Sequence, residues 1–177
     1  MIRGHAIRLR LAREDDLPVL ADLLNEVGAS GEFWPVMLIP ESTLRKRYHE
    51  NGLWGPDSGQ LLICDADDRI LGEIMFFKTA GYMSELEIAY RLFRAEDRGK
   101  GAMTEALALM TRYLFESKEV NRLRLMIDPG NVASRRVAEK CGYRYEGTAR
   151  GSVYHHGRIH DMDTFAILRD EALPATG

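Results

Sequence analysis

A turn with two glycines, Arg98-Gly99-Lys100-Gly101, separates a segment of strand period from a segment of helix period. Apolar residues alternate over 86–92, which predicts a half-buried strand, and recur at helical spacing over 103–114, which predicts an amphipathic helix. A helix that starts after such a turn directs free backbone N–H groups and the positive end of its dipole at the space before it. This arrangement favours a phosphate, and a pyrophosphate more strongly, so the stretch predicts a phosphate-binding turn.

Two common phosphate-binding motifs do not fit this turn. An NTPase loop has a longer glycine spacing and ends in a Lys-Ser or Lys-Thr pair, which the turn lacks. A dinucleotide fingerprint has a third glycine, followed at a set distance by an acidic residue, and the turn meets neither condition.

The other periodicities predict a mixed α+β chain with helices packed on a central sheet. The predicted strands cover 7–11, 61–64, 70–77, 86–92, 123–127 and, as two or three further strands, 143–149, 152–156 and 160–168. The predicted helices start near Asp15, Ser42, the glycine turn and Asn131; the first ends at Gly28 and the last at Gly142. Residues 65–68 join the clearest hairpin.

The composition indicates a globular protein without a nucleic-acid or membrane partner. The 177 residues fit one domain, residues 1–177, and 45% of them are apolar. The net charge of −3 includes no long run of one sign, and no stretch reaches the ~20 apolar residues of a membrane span. Cys64 and Cys141 form no metal or redox motif, which favours free thiols in a reducing cytoplasm, with a single disulfide as the alternative. A monomer and a homodimer both stay open.

Three blocks in the second half of the chain carry a family resemblance. They are, in order, Glu87-Ile88-Ala89-Tyr90-Arg91-Leu92 with Arg98-Gly99-Lys100-Gly101; Asn131-Val132-Ala133-Ser134 with Glu139-Lys140-Cys141-Gly142-Tyr143 and Glu146-Gly147; and Gly157-Arg158-Ile159-His160-Asp161-Met162 with Leu168-Arg169-Asp170-Glu171. Together they resemble the GNAT N-acetyltransferases, and within that family the ribosomal-protein-alanine acetyltransferase branch, the RimJ/RimL type. The glycine turn is similar to the family's pyrophosphate loop, Arg/Gln-x-x-Gly-x-Gly/Ala. Arg98 and Gly101 fit that pattern, and Met103 departs from its last position.

The resemblance implies the GNAT fold, a central mixed and twisted sheet of about seven strands flanked by about four helices. It also implies acetyl-CoA as the cofactor. The residues that would hold its pyrophosphate are those of the turn and the helix start: Arg98, Gly99, Lys100, Gly101, Ala102, Met103 and Thr104. Asn131 would contact the pantetheine or a phosphate; a plain helix N-cap is the alternative, and the two roles are compatible.

Acyl transfer to an amine needs a base, because the amine arrives protonated at neutral pH. Glu87 is the first candidate, since it precedes the turn on the strand face opposite Leu86 and Ile88. Glu85 lies on the same face and is a candidate for contact with the acceptor. The alternative is that both are solvated strand carboxylates.

The departing thiolate needs a proton donor. Many members of the family carry a tyrosine on the helix after the asparagine, and that position is Ala138 here. In the RimJ/RimL type a serine one turn earlier is the substitute, and it matches Ser134. A serine is a weak acid, so its help would be a hydrogen bond to sulfur. The alternative is a local helix cap.

Three other groups of residues carry side chains with possible chemical roles. Phe33 and Trp34 would line the acceptor site, or else anchor an irregular loop to the core. His155, His156 and His160 surround a turn, and strand alternation would scatter them over two faces, so no metal site is expected. Cys141 is expected to be a small core residue.

The residues and the resemblance together predict a cytoplasmic N-acetyltransferase that moves an acetyl group from acetyl-CoA to a primary amine by direct attack in a ternary complex. The acceptor is a protein N-terminal amine or a small amine, such as an antibiotic, a polyamine or an aminoacyl compound. The vacant tyrosine position at Ala138 leaves a catalytically inactive CoA-binding or sensing module as the alternative.

Overall fold

The computed structural model describes residues 1–26 and 31–173, which form eight strands and five helices. The strands are β1 (Ile2–Arg3), β2 (Arg8–Arg10), β3 (Ser58–Cys64), β4 (Ile70–Phe77), β5 (Glu85–Leu92), β6 (Arg122–Ile127), β7 (Arg144–His155) and β8 (Arg158–Leu168). The helices are α1 (Leu17–Asn25), α2 (Glu41–Asn51), α3 (Ala102–Ser117), α4 (Val132–Lys140) and α5 (Arg169–Ala172). None of these helices is both long enough and apolar enough to cross a membrane.

The mixed α+β architecture is confirmed, with one strand and one helix more than expected. The additions are β1, of two residues, and α5, of four, which are too short to carry a sequence period. The two segments predicted at 143–149 and 152–156 form one strand, β7, which register shifts interrupt between Ala149 and Val153. The predicted end of the first helix, Gly28, lies outside the described residues.

The strands form a single sheet in the order β1-β2-β3-β4-β5-β6-β8-β7. Neighbours run antiparallel except β5 and β6, which are parallel because α3 crosses between them. These two strands pair only from Glu85–Arg122 to Glu87–Arg124, and β5 has no described partner on that side beyond Glu87. The middle of the sheet therefore opens where β5 approaches the glycine turn.

The two faces of the sheet are covered differently. On one face, Leu86, Ile88 and Leu125 pack against α3 and α4 in the main apolar core. On the other face, α1 and α2 cover the β2–β4 side in a second core that contains Leu20 and Leu62. The part of this second face that runs from β4 to β8 carries half-buried side chains, and it borders a cleft. A functional site needs such an uncovered surface, and the helices leave it here.

Candidate active site

Two clefts meet at the opening between β5 and β6. The first has a volume of about 460 Å³ and reaches the glycine turn through Arg98, Gly99 and Met103. The second has a volume of about 430 Å³ and lies over the other face of the sheet, against Glu87 and Arg124. Residues that line both clefts are Phe33, Trp34, Tyr90, Asn131 and Ser134. A ligand in the first cleft can therefore reach one in the second.

The glycine turn has the geometry of an anion site. Gly99 and Gly101 have φ angles of 75° and 87°, in the left-handed region that glycine adopts without strain. Gly101 is the residue before α3, so the first amides of that helix have no intrahelical acceptor and point toward the turn. A Cβ at Gly101 would meet no atom within 4 Å, which leaves the space above these amides open.

Met103, the residue that departs from the family pattern, leaves the turn unobstructed. Its side chain is buried in the main core beneath the helix start. Lys100 lies between the two glycines of the turn and is exposed to solvent. The residues predicted to hold the pyrophosphate, 98–104, thus comprise backbone amide donors at the start of α3 and the cationic side chains of Arg98 and Lys100 in the turn.

Asn131 caps α4. Its side-chain oxygen accepts a hydrogen bond from the backbone N–H of Ser134 at 3.0 Å. The N-cap interpretation is therefore confirmed, and the side-chain amide of Asn131 still borders both clefts. Capping also orients the first turn of α4, which carries Ser134.

Glu87 lies in the second cleft and is bound to one arginine. Arg124 Nη2 donates to Glu87 Oε2 at 2.8 Å, and only 15% of the Glu87 side chain is exposed. Burial raises the pKa of Glu87 above its ordinary value, and Arg124 opposes part of that rise. The interpretation of Glu87 as a solvated strand carboxylate is wrong, because the side chain is enclosed and paired.

Glu85 shares the face of Glu87 but does not border either cleft. Its carboxylate is held by Arg122 at 2.9 Å and by Arg124 at 3.2 Å, with Thr79 Oγ1 donating at 3.1 Å. The expected contact of Glu85 with the acceptor is not supported by this geometry. Arg122 lies opposite Glu85 on β6, and the ion pairs with Arg122 and Arg124 make this carboxylate a support for the two arginines.

Tyr90 brings a second hydroxyl to Ser134. The Tyr90 hydroxyl and Ser134 Oγ are 2.9 Å apart, at the junction of the two clefts. Burial raises the pKa of Tyr90, so its phenol is protonated at neutral pH. The alternation over 86–92 predicts Tyr90 as one of the apolar residues of the strand, and this pattern gives no role to its hydroxyl. The signal that could have found it is a hydroxyl-bearing side chain close to a phosphate-binding turn. Ala138 itself is fully buried in the core.

Phe33 and Trp34 both line the clefts, and Trp34 also anchors its loop. The Trp34 ring lies 4.7 Å from the guanidinium of Arg91, which pairs with buried Glu73 at 2.7 Å. The Trp34 carbonyl is hydrogen-bonded to His156 Nε2 at 3.1 Å. For Trp34 the two interpretations, loop anchor and cleft wall, are therefore compatible.

The histidines are not scattered as expected. His160 pairs with Val153 and His155 pairs with Arg158, which puts both rings on one face of the β7–β8 hairpin. The rings stack with centroids 3.7 Å apart and planes 16° apart, and His160 Nδ1 is 2.9 Å from Asp128 Oδ2. The prediction failed because it used alternation along one strand and not the register between two.

The side chains of Asp128, His155 and His160 bring possible metal-ligand atoms within 4.8 Å of one another. An imidazole nitrogen binds a metal with a lone pair that lies in the ring plane. Because the two imidazole planes are stacked and nearly parallel, no single metal position lies in both planes. The rings would have to rotate before both could bind one metal ion. Within the described part of the chain, His160 is hydrogen-bonded to Asp128, whereas His155 Nε2 lies 3.8 Å from Asp128 Oδ2 and neither ring nitrogen of His155 has a hydrogen-bond partner. Burial lowers the pKa of His155, which favours its neutral form.

Both cysteines are free thiols, as predicted. Cys64 lies in the second core, and Cys141 Sγ donates to the carbonyl of Thr104 at 3.3 Å. Burial raises the pKa of each thiol to about 11, so neither is a thiolate nucleophile at neutral pH.

Comparisons with known proteins define the class. Residues 6–144 match the acetyltransferase (GNAT) domain family, and the chain belongs to that family. It is 36% identical over 107 residues to the probable N-acetyltransferase YjcK of Bacillus subtilis (strain 168), a match that covers 60% of this chain and 59% of YjcK. It is 29% identical over 178 residues to the putative ribosomal N-acetyltransferase YdaF of the same organism, covering 93% of this chain and 92% of YdaF.

A solved structure supports the fold. The spermidine N-acetyltransferase of Vibrio cholerae, in complex with CoA and spermine, superposes with a TM-score of 0.83 at 18% identity. The superposition covers 96% of this chain and 99% of that one. At this identity the likeness establishes the GNAT fold alone.

Proposed function

We propose that this chain transfers an acetyl group from acetyl-CoA to a primary amine by direct attack within a ternary complex. The observation that carries the proposal is the meeting of two clefts at Tyr90, Asn131 and Ser134, with a phosphate-type turn at the far end of one and Glu87 in the other. Two ligands that enter from opposite faces of the sheet would touch at this junction.

The residues fit acetyl-CoA in the first cleft. The amides of residues 99–104 would hold the pyrophosphate, with Arg98 and Lys100 adding charge. The edge of β5 beyond Glu87 offers backbone groups to the pantetheine, and Asn131 offers its side-chain amide. Acetyl-CoA supplies an activated acetyl carbonyl at the junction.

Glu87 would remove the proton from the incoming ammonium. An α-amine has a pKa near ~8 and a lysine amine near ~10.4, so an ordinary carboxylate is a weak base for either. A raised pKa makes Glu87 a better base, and its pairing with Arg124 preserves a charged population. The amine nitrogen then bonds to the acetyl carbon as the carbon–sulfur bond breaks. Of the two protons that the ammonium loses, one passes through Glu87 to solvent and one ends on the thiol.

Tyr90 and Ser134 would stabilise the departing sulfur. The two hydroxyls form one hydrogen-bonded pair, so either can donate to a thiolate while the other supports it. This pair supplies a hydroxyl that Ala138 does not, which favours a catalyst over the inactive CoA-binding module.

Removal of these hydroxyls tests that role. Tyr90→Phe and Ser134→Ala are each expected to lower kcat by about 10-fold or more, with little change in acetyl-CoA affinity, because the hydrogen bonds matter only as the thiolate forms. The measurement is steady-state kinetics with calorimetric titration of acetyl-CoA. Tyr154→Phe, at an exposed tyrosine, is the matched control. Losses within about twofold in both variants would contradict the role and leave Ser134 as a cap residue.

Two kinds of acceptor amine are proposed. The resemblance to the RimJ/RimL type, supported by the name of YdaF, favours a protein N-terminal amine. The second cleft, with a volume of about 430 Å³, also admits a small amine. We also propose that residues 1–177 act as one domain in a reducing cytoplasm, which the two free thiols support.

The general proposal is tested by thiol release from acetyl-CoA against a panel of peptides and small amines. The expected result is release that depends on the amine, with an acetylated amine identified by mass. Tight binding of acetyl-CoA without amine-dependent release from any member of the panel would favour the inactive module.

A further inference from the structure

The wall of the second cleft is unusually rich in methionine. Four of the eight methionines in the chain line it: Met37, Met75, Met126 and Met162. They come from the loop before α2 and from strands β4, β6 and β8. Methionine offers an apolar and adaptable surface, so this wall suits an apolar group of irregular shape.

Met75, Met126 and Met162 lie on the uncovered face of the sheet, which also carries Glu87. Phe77 pairs directly with Glu87 across the strands, and Met75 pairs with Ala89 two residues further along β5. Met126 follows Arg124 by two residues on β6 and so shares its face. Met75, Phe77, Met126 and Met162 are half-buried and Met37 is exposed, so each leaves apolar surface open to the cleft. An amine held at Glu87 would place its substituent on this surface.

The charges of the cleft accommodate one cation. Its carboxylates are Glu87 and Asp128, and its guanidinium is Arg124, which pairs with Glu87 at 2.8 Å. Asp128 already accepts hydrogen bonds from the Gly130 amide and is 2.9 Å from His160. A polyamine carries several ammonium groups, each of which needs a carboxylate when it leaves water. The second and third groups of a polyamine would face methionine and phenylalanine here.

The cleft is also closed on one side. The segment 33–37 lines it, and the bond between the Trp34 carbonyl and His156 ties this segment to the β7–β8 turn. The volume of about 430 Å³ falls within the range of small-molecule pockets. Enclosure favours a small acceptor over a protein terminus.

From these observations we infer that the acceptor is a small primary amine with one positive charge and an apolar substituent, of the arylalkylamine or branched alkylamine class. The inference rests on the proposed acetyl transfer and narrows it. Glu87 receives the ammonium end, and the methionine wall receives the apolar end.

The test compares three acceptors, 2-phenylethylamine, ethanolamine and spermidine, together with a peptide that begins with alanine. The expected kcat/KM for 2-phenylethylamine exceeds that of each of the others by about 10- to 100-fold, the gain from burying a phenyl group. Equal or higher kcat/KM for spermidine or the peptide would overturn the inference while acetyl transfer itself stands. No transfer to any of the four, with acetyl-CoA still bound, would overturn both.

A pair of matched variants localises the effect. Met126→Gln keeps the length of the side chain and adds polarity, so we expect about a tenfold loss of kcat/KM with 2-phenylethylamine and no change with ethanolamine. Met83→Gln changes an exposed methionine outside the cleft and is expected to alter neither. Equal losses of Met126→Gln with both amines, in a protein of unchanged circular dichroism, would contradict the apolar contact.

Discussion

Replacing Glu87 with glutamine is expected to lower kcat/KM for acetyl transfer by roughly 10²–10⁴-fold, the usual cost of losing a general base. Glutamine has nearly the same shape and can still accept from Arg124, so the strand and its face are retained. Cofactor affinity is expected to stay unchanged, because Glu87 borders only the second cleft. Glu146→Gln, at an exposed carboxylate that pairs with Arg122, is the matched control.

The pH profile distinguishes a base from a positioning group. Burial raises the pKa of Glu87, so the wild-type rate is expected to climb with pH through a range above that of an ordinary glutamate. It climbs because the carboxylate must lose its proton before it can take one. In Glu87→Gln, high pH is expected to restore part of the rate, since free amine then forms without help. A loss by the same factor at every pH would mean that Glu87 only positions the acceptor, and no loss would remove it from the mechanism.

Placing a carboxylate at Gly101 is expected to weaken acetyl-CoA binding by at least tenfold, about 1.4 kcal/mol or more. The residue has a φ of 87° and precedes α3, so its Cβ would carry the charge into the space that the helix amides face. An anion there opposes the pyrophosphate and occupies the amides itself. Calorimetric titration of acetyl-CoA measures the effect.

Gly101→Asn is the control for Gly101→Asp. Asparagine tolerates the left-handed region better than most residues and has the shape of aspartate without its charge. We expect Gly101→Asn to bind acetyl-CoA more tightly than Gly101→Asp. If both variants bind as the wild type does while remaining folded, the turn is not a phosphate site.

Much of the fold followed from local patterns. The hairpin of β3 and β4, the strand before the glycine turn and the helix after it were predicted from periods of two and of three to four residues, and all are confirmed. Met103 departs from the family pattern of the turn, and the sequence does not show where its side chain points. In the structure this side chain is buried in the main core.

What the sequence could not supply is distance across the sheet. The separation of β5 from β6 after Glu87 depends on pairing between segments 37 residues apart, for which no local signal exists. The same limit hid the contact of Tyr90 with Ser134 and the stacking of His155 on His160. Glu85 and Glu87 are two residues apart on β5 and lie on the same face of the sheet, so the sequence pattern does not distinguish them. Their neighbours on β6 do, because Glu85 is enclosed by arginines whereas Glu87 reaches the second cleft.

The most direct measurement of the proposed chemistry is a single-turnover experiment that follows the CoA thiol and the mass of the protein together. Protein in excess is mixed with acetyl-CoA alone and then with a primary amine. Direct attack predicts no thiol and no acetylated protein until the amine is added, followed by one acetylated amine for each thiol released. Thiol release before the amine, with or without an acetyl group on the protein, would contradict direct transfer between two bound ligands.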